Sequence, residues 1–121
     1  MEWQEMDDLK RRMRDFAERR DWDQFHAPKN LAMALAGEAG ELIEHFQWLT
    51  EQQSAELDAR TLEKVASEIA DIQIYLVRLA DKLGVSIADA VENKIVVNER
   101  KYPVEKVYGS ARKYTDYDPS R

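Results

Sequence analysis

The chain of 121 residues has no cysteine and few of the residues that interrupt helices. The absence of cysteine excludes disulfides, thiolate metal sites and a cysteine nucleophile. Only four glycines and three prolines occur, and the alternation of β-branched residues that is typical of strands is missing. The sequence therefore predicts an all-α fold, a helical bundle.

Long apolar runs and an excess of basic charge are also absent. No apolar run approaches the roughly 18 residues that a membrane span needs. The first residues, MEWQEMDDLKRRMRDF, lack the apolar centre of a signal peptide. The net charge of −6 is opposite to that of a nucleic-acid-binding surface. We therefore expect a cytoplasmic protein without a membrane or nucleic-acid partner, in which an anionic ligand would need local cations or a metal ion.

Four helices are predicted, over residues 6–19, 29–49, 60–83 and from Ser86 to just before Pro103. The polar segment TEQQSAELD between the second and third helices reads as a loop, with an early turn into helix as the alternative. Gly84 ends the third helix, and Ser86 with Asp89 resembles the capping box that opens the fourth. The sequence after Pro103 is predicted to be irregular, with a tail over about residues 108–121. The length predicts a single domain over residues 1–121.

Two acidic pairs interrupt the apolar pattern of the second and third helices. They are Glu38 with Glu41 and Glu68 with Asp71, and residues three apart lie on one face of a helix. Glu38 falls within the apolar stripe of its helix and Glu41 falls on its edge. The stripe consists of Leu31, Leu35, Leu42 and Leu49. Around Glu68 and Asp71 the third helix is apolar nearly all round, which predicts burial on more than one side.

Carboxylates in apolar surroundings are rare unless they are paired or bind a metal ion. Ligands that offer only oxygen favour Mg²⁺, Mn²⁺ or Ca²⁺ over zinc, and Mg²⁺ completes its shell with substrate phosphates. One alternative is that all four residues are ordinary surface acids. A di-iron bundle is another, but it needs Glu-x-x-His on two helices, whereas His45 follows Glu41 by four residues and the third helix has no histidine.

Polar and aromatic residues elsewhere could complete a nucleotide site. Lys94 and Asn98 share a face of the fourth helix with apolar residues, where they could contact a phosphate and a sugar or base. The alternative is a helix edge with an extended lysine. Aromatic faces can stack on nucleotide bases. The alternative is that these aromatic side chains belong to the core. The candidates for an aromatic pocket are Trp22, Phe25, His26, Trp48 and Tyr75.

Several segments resemble a known family. GEAGELIEHFQW and EIADIQIYLVRLADKLG are similar to the MazG-like all-α nucleoside triphosphate pyrophosphohydrolases. RDWDQFHAPKNLAMALAGEAGEL, NKIVVNERKYP and SARKYTDY resemble the small dCTP pyrophosphatases within it. The resemblance implies a four-helix bundle-like fold, assembly as a homodimer or homotetramer, and hydrolysis of a nucleoside triphosphate to the monophosphate and pyrophosphate. Mg²⁺ is the implied cofactor, with Mn²⁺ as an alternative ion.

The resemblance also implies roles for individual residues. Glu38, Glu41, Glu68 and Asp71 would hold the metal ion, and Glu38 or Glu41 would orient or deprotonate the attacking water. Lys94 and Asn98 would face the substrate, and Arg112 or Lys113 would reach its phosphates. The nucleoside site would be lined by Trp22, Asp23, Gln24, Phe25, His26, Trp48 and Tyr75.

Two positions depart from the family pattern. Gly37 stands where many MazG-type motifs have a first glutamate, and Met13 stands where the animal enzymes have histidine. The residues alone do not select the base. Besides dCTP or a modified dCTP, we consider the same fold acting on dUTP or another nucleotide, and a helical interaction module without catalytic activity.

Overall fold

The computed structural model describes residues 2–111, which form helices joined by short turns and contain no strand. The all-α prediction is confirmed. A 3-10 turn covers Asp23–Phe25. The α-helices are α1 Glu2–Arg19, α2 Pro28–Glu44, α3 Glu51–Ser54, α4 Ala59–Leu83, α5 Ile87–Lys101 and α6 Val104–Val107.

Three features of the helices differ from the prediction, and the first is that α1 begins at Glu2 rather than at Met6. Helix α2 ends at Glu44 rather than at Leu49, because the next amides bond to carbonyls only three residues back: His45 N lies 3.2 Å from Leu42 O. In the TEQQSAELD segment the structure has the helical alternative, the short helix α3, which Thr50 and Gln53 begin with a capping box. Helix α6 lies in the sequence that was predicted to be irregular. Each difference is a single turn set by local hydrogen bonds, which apolar periodicity does not report.

Residues at their ends fix the two helices that carry the acidic pairs. Pro28 begins α2, where its missing N–H costs no hydrogen bond. The Asp58 carboxylate accepts a 2.7 Å bond from the amide of Thr61 and caps α4. Gly84 ends α4 with a φ of 68°, a left-handed conformation that favours glycine. These ends determine where the acids lie along each helix.

The chain divides into two compact units. The first extends through Ser86, and in it both α2 and α1 pack against α4. Its buried apolar side chains are Ala17, Leu31, Val65 and Val77. The second unit begins at Ile87 and contains α5 and α6. The single domain expected over residues 1–121 stays a prediction.

Helix α4 is less enclosed than its sequence predicts. Val77 is 1% exposed, whereas Ile69 is 55% and Leu76 is 40% exposed. With Leu62 and Leu83, which are also exposed, these residues form a stripe of four apolar side chains spaced seven apart. One side of α4 therefore packs against α1 and α2, and these four apolar side chains of α4 remain exposed among the described residues. Within residues 2–111, no helix combines the length and apolarity that a bilayer crossing requires.

Candidate active site

Three carboxylates meet where α2 packs against α4. Glu38 and Glu41 lie three residues apart on α2, and Glu68 faces them from α4. One oxygen from each side chain lies within 4.8 Å of the others. At such distances like charges repel strongly, so a cation or bound protons must accompany this acidic trio.

The trio contains two buried oxygens without hydrogen-bond partners. Oε2 of Glu38 and Oε2 of Glu68 are inaccessible to solvent, and no residue among 2–111 donates to either. A buried carboxylate oxygen without a donor costs free energy unless an ion or a proton satisfies it. Nε2 of His45 lies 3.9 Å from Oε2 of Glu68, beyond hydrogen-bond range. Two orphaned hard oxygens beside a third carboxylate fit a divalent cation such as Mg²⁺.

The pKa of Glu38 is raised by its burial and by the neighbouring carboxyl groups. Burial is the largest cause that raises its pKa above the ordinary value, followed by the adjoining Glu41 carboxyl group. The charges of Asp71 and Glu68 raise the pKa of Glu38 further. Without a cation, therefore, the folded chain holds a proton on Glu38 more tightly than an exposed glutamate would.

Asp71 connects the acidic trio to a neighbouring cavity. It lies one turn beyond Glu68 on α4, outside the group of oxygens within 4.8 Å, but its charge acts on Glu38. Its side chain also lines a cavity of about 240 Å³ in the first unit. The remaining lining residues are Met13, Phe16, Ala17, Trp22, His26, Leu31, Ile74, Tyr75 and Arg78.

This cavity is mainly apolar and aromatic, with a few polar groups. The rings of Phe16 and Trp22 meet edge to face with centroids 5.8 Å apart. Pockets of this kind bind small organic ligands by apolar contact and use a few polar groups to orient them. An aromatic cavity that adjoins an acidic cluster could bind a ring at one end and a metal-bound anion at the other.

Sequence comparison identifies the family to which this arrangement belongs. The MazG-like family model matches residues 34–117, about two thirds of the chain, including all four predicted acidic ligands. This chain is a MazG-like protein.

Curated relatives of this MazG-like protein are similar over most of its length. It is 45% identical to dCTP pyrophosphatase 1 of Bos taurus over 113 residues, which cover 92% of this chain and 67% of the relative. It is 42% identical to dCTP pyrophosphatase 1 of Homo sapiens, and the match covers 92% of this chain and 66% of that relative. The chain spans about two thirds of the length of these relatives. A crystal structure of a pyrophosphatase from Archaeoglobus fulgidus matches with a TM-score of 0.77 and 40% identity, covering 82% of this chain and 93% of that one.

The structure brings together only some of the predicted site residues of this MazG-like protein. Trp22, His26, Tyr75 and Asp71 line the cavity. Lys94 and Asn98 are exposed residues of α5, in the second unit. Arg112 and Lys113 lie outside the described residues.

Other residues of the predicted nucleoside site lie outside the cavity lining. Phe25 is 61% exposed and Trp48 is 87% exposed. The carboxylate of Asp23 accepts hydrogen bonds from Arg78 and Lys82, and the side-chain amide of Gln24 bonds to Asp21. Within this single chain, these four side chains do not line the aromatic cavity.

Arg78 is the main residue of this region that sequence analysis missed. It is 4% exposed, lines the cavity, and lies in an ion cluster with Asp23, Asp81, Lys82 and Arg14. A signal existed, because Arg78 is the one basic residue in the apolar segment IQIYLVRLA of α4. A charge inside such a segment indicates a buried partner or a ligand.

Proposed function

We propose that this MazG-like protein hydrolyses dCTP, or a modified dCTP, to the monophosphate and pyrophosphate in a Mg²⁺-dependent reaction. Curated relatives at about 43% identity support a nucleoside triphosphate pyrophosphohydrolase, and their names supply the choice of dCTP. One structural observation carries the proposal. The two orphaned carboxylate oxygens of Glu38 and Glu68 adjoin an aromatic cavity through Asp71.

The residues proposed to hold Mg²⁺ are Glu38, Glu41, Glu68 and Asp71, with Mn²⁺ as an alternative ion. A bound divalent ion supplies neutralising charge for the triphosphate and lowers the pKa of a coordinated water. Glu38 and Glu68 suit the ligand role, because each has a buried oxygen that lacks a donor.

Glu38 and Glu41 are the candidates for handling the attacking water. Glu41 is exposed, so its carboxylate can reach solvent and accept a proton from a water molecule. Glu38 contributes a buried oxygen to the same cluster. We therefore assign proton acceptance to Glu41 and ligation, with orientation of the water, to Glu38.

The nucleoside is proposed to occupy the cavity between α1 and α4. The faces of Trp22 and Tyr75 offer stacking surface, and His26 offers a hydrogen-bonding group. Lys94 and Asn98 are proposed to face the substrate, and Lys113 to reach its phosphates. Asp23, Gln24 and Phe25 would support the site from the turn that precedes α2.

Trp48 requires a second subunit in this proposal. With 87% of its surface exposed, it does not line the cavity of its own chain. Assembly as a homodimer or homotetramer would allow Trp48 to complete the nucleoside site of a neighbour. Such a site would be incomplete in an isolated subunit.

The decisive experiment is a nucleotide panel with product identification. The purified protein is incubated with each of the four dNTPs, dUTP, CTP and 5-methyl-dCTP, with Mg²⁺ or with EDTA. We expect dCTP to give dCMP and pyrophosphate with Mg²⁺ and no turnover in EDTA. Turnover of dUTP in preference to dCTP would replace the substrate assignment while keeping the fold and reaction. Release of no pyrophosphate from any nucleotide would refute the proposal.

A non-catalytic helical module is distinguished by a binding measurement. The acidic trio predicts that Mg²⁺ or Mn²⁺ raises the melting temperature, since a ligand that binds only the folded state stabilises it by mass action. The interaction module predicts no such shift. A matched titration with NaCl of equal ionic strength separates specific binding from charge screening.

A further inference from the structure

Arg78 is held rigidly beside His26. Its Nη1 donates to Oδ2 of Asp81 at 3.2 Å, and its Nη2 donates to Oδ1 of Asp23. Arg14 secures Asp81 with a 2.9 Å bond from Nε, and Lys82 secures Asp23 with a 2.9 Å bond from Nζ. The guanidinium group is therefore fixed from two sides, by one carboxylate on α4 and one on the 3-10 turn.

The third donor of this guanidinium group determines the tautomer of His26. Nε of Arg78 lies 3.1 Å from Nδ1 of His26 and donates to it. A guanidinium group has only donors and stays protonated in proteins. Nδ1 of His26 must therefore be the acceptor and carry no proton, which leaves the single proton of the neutral ring on Nε2.

The other edge of the ring is available to a ligand. His26 lines the cavity, and within residues 2–111 its Nε2 has no protein hydrogen-bond partner. Its backbone is also fixed, because its amide bonds to the carbonyl of Asp23 at 3.0 Å. Protonation of Nδ1 would place an N–H against the N–H of Arg78. Burial and the charge of Arg78 lower the pKa of His26, which agrees with a neutral ring.

We propose that Arg78 is a positioning residue that holds His26 as the Nε2–H tautomer, so that the cavity presents a fixed hydrogen-bond donor to the nucleobase. The base is the part of a nucleotide that fits beside Phe16, Trp22 and Tyr75. Its partner atom is a ring-edge acceptor, which in cytosine is N3 or O2. A donor that cannot become an acceptor favours bases that present a lone pair at this point. This inference deepens the proposed function and rests on it for the identity of the ligand.

The tautomer is tested without any substrate. Long-range ¹H–¹⁵N spectra of the uniformly labelled protein at pH 7.5 report which imidazole nitrogen carries the proton. The chain has only two histidines, so the spectrum of His26→Asn assigns the signals. We expect wild-type His26 to show the Nε2–H pattern, Arg78→Met to show a tautomer mixture, and Lys82→Met to match wild type.

Lys82→Met is the matched control because it removes a cation from the same Asp23 carboxylate but touches no nitrogen of His26. A wild-type ring that is protonated on Nδ1 would overturn the proposal. An unchanged tautomer in folded Arg78→Met would overturn it equally. If Arg78→Met fails to fold, the wild-type spectrum still decides the tautomer, and His26→Gln and His26→Asn still decide whether Nε2 acts as a donor.

Two substitutions of His26 separate its two nitrogens. The amide of Gln reaches the place of Nε2 and can keep a donor in the cavity, whereas the oxygen of Asn replaces Nδ1 as the acceptor for Arg78. We expect His26→Gln to retain kcat/KM for dCTP within about threefold and His26→Asn to lose at least about tenfold, the scale of one lost hydrogen bond. Equal losses in both variants would refute the donor role.

A substrate analogue locates the partner atom on the base. In 3-deaza-dCTP a carbon replaces N3. If N3 is the acceptor, wild type should therefore lose its advantage in kcat/KM over His26→Asn with this analogue. If the advantage persists, O2 is the acceptor. An advantage that is equally large for inosine triphosphate and dCTP would contradict recognition of the cytosine edge. Absence of turnover with every nucleotide would refute the proposed function, while the spectra would still decide the tautomer.

Discussion

At the scale of single residues, the site depends on polar groups placed in apolar surroundings. Glu38 lies in a stripe of leucines, and one of its oxygens is buried without a donor. Arg78 lies in an apolar segment of α4 and is almost fully buried, but its donors reach Asp23, Asp81 and His26. Arg78 is satisfied within the chain and therefore organises it, whereas Glu38 is unsatisfied and therefore indicates a ligand.

Replacing Glu38 by its neutral isostere tests the ligand role. Glu38→Gln should raise the melting temperature of the metal-free protein, because it removes a charge that burial and Glu41 disfavour. The same change should abolish stabilisation by Mg²⁺, which for wild type is about 2.7 kcal/mol when the ion is at a hundredfold excess over Kd. Differential scanning fluorimetry with EDTA and with Mg²⁺ measures both effects.

The matched control for this change is Glu44→Gln. Glu44 lies on the same helix and is exposed, and it is absent from the acidic trio. It should behave as wild type in both buffers. A Glu38→Gln variant that Mg²⁺ stabilises as strongly as wild type would remove Glu38 from the ligand set.

The raised pKa of Glu38 also predicts a pH dependence. A carboxyl group with a raised pKa in the folded state contributes fully to stability below its unfolded pKa, about 4.5 for Glu38. That contribution is lost as the pH rises through the folded pKa. Asp81 acts in the opposite sense, because Arg14 lowers its pKa and its contribution is lost only in acid. In EDTA, wild type should therefore lose more stability than Glu38→Gln as the pH rises from about 5 to 8.

Urea unfolding at each pH, monitored by circular dichroism, measures this pH dependence. Adding Mg²⁺ should reverse the wild-type trend, since deprotonated carboxylates bind the ion better. Parallel curves for wild type and Glu38→Gln in EDTA would show that Glu38 does not titrate abnormally.

At the scale of helices and turns, the end of α4 and the start of α5 were predicted correctly from signals that act within a few residues. Gly84 ends α4 and Ile87 begins α5 directly after Ser86, as expected from the local sequence. The early end of α2 was missed, because Phe46 remains compatible with the apolar pattern while its amide bonds to Ile43, three residues back. Periodicity reports which face is apolar, but it does not report where the backbone tightens.

Two glycines with different backbone conformations give a test at this scale. Gly84→Ala should lower the free energy of unfolding by about 1 kcal/mol, because a φ of 68° is unfavourable for a residue with a Cβ atom. Gly40→Ala lies inside α2, where a Cβ atom would meet nothing within 4 Å, so the higher helix propensity of alanine should add roughly 0.5–1 kcal/mol. Urea unfolding of both variants measures the difference. Destabilisation by Gly40→Ala would indicate that another surface covers this side of α2.

At the scale of the whole molecule, long-range pairing explains what the sequence could not predict. The bond between His26 and Arg78 joins residues 52 apart, and no local pattern specifies that separation. The acidic residues could be predicted because each pair lies on one helix and because the family motif contains them. Trp48 lies near the acids in sequence but outside the cavity of its own chain, because sequence proximity does not determine where a side chain packs.

The uncovered side of α4 predicts self-association. Leu62, Ile69, Leu76 and Leu83 repeat every seven residues and are all exposed, which places them along one side of the helix. Isolated exposed leucines are common, but a continuous apolar stripe over six turns usually marks an interface. The proposed role of Trp48 also requires a neighbouring subunit. We therefore expect light scattering at micromolar concentration to give the mass of a dimer or tetramer.

A charge placed in the stripe tests whether this interface supports the site. Ile69→Lys should lower the measured mass and, because Trp48 would lose its place beside a neighbouring cavity, should raise KM for dCTP more than it lowers kcat. Glu63→Lys is the control, since it places the same charge on an exposed polar position of α4. A monomeric Ile69→Lys variant with unchanged KM would show that the cavity of one chain binds the nucleotide alone. An Ile69→Lys variant that keeps its mass would show that the stripe is not the interface and would point instead to the exposed side of α2 that contains Gly40.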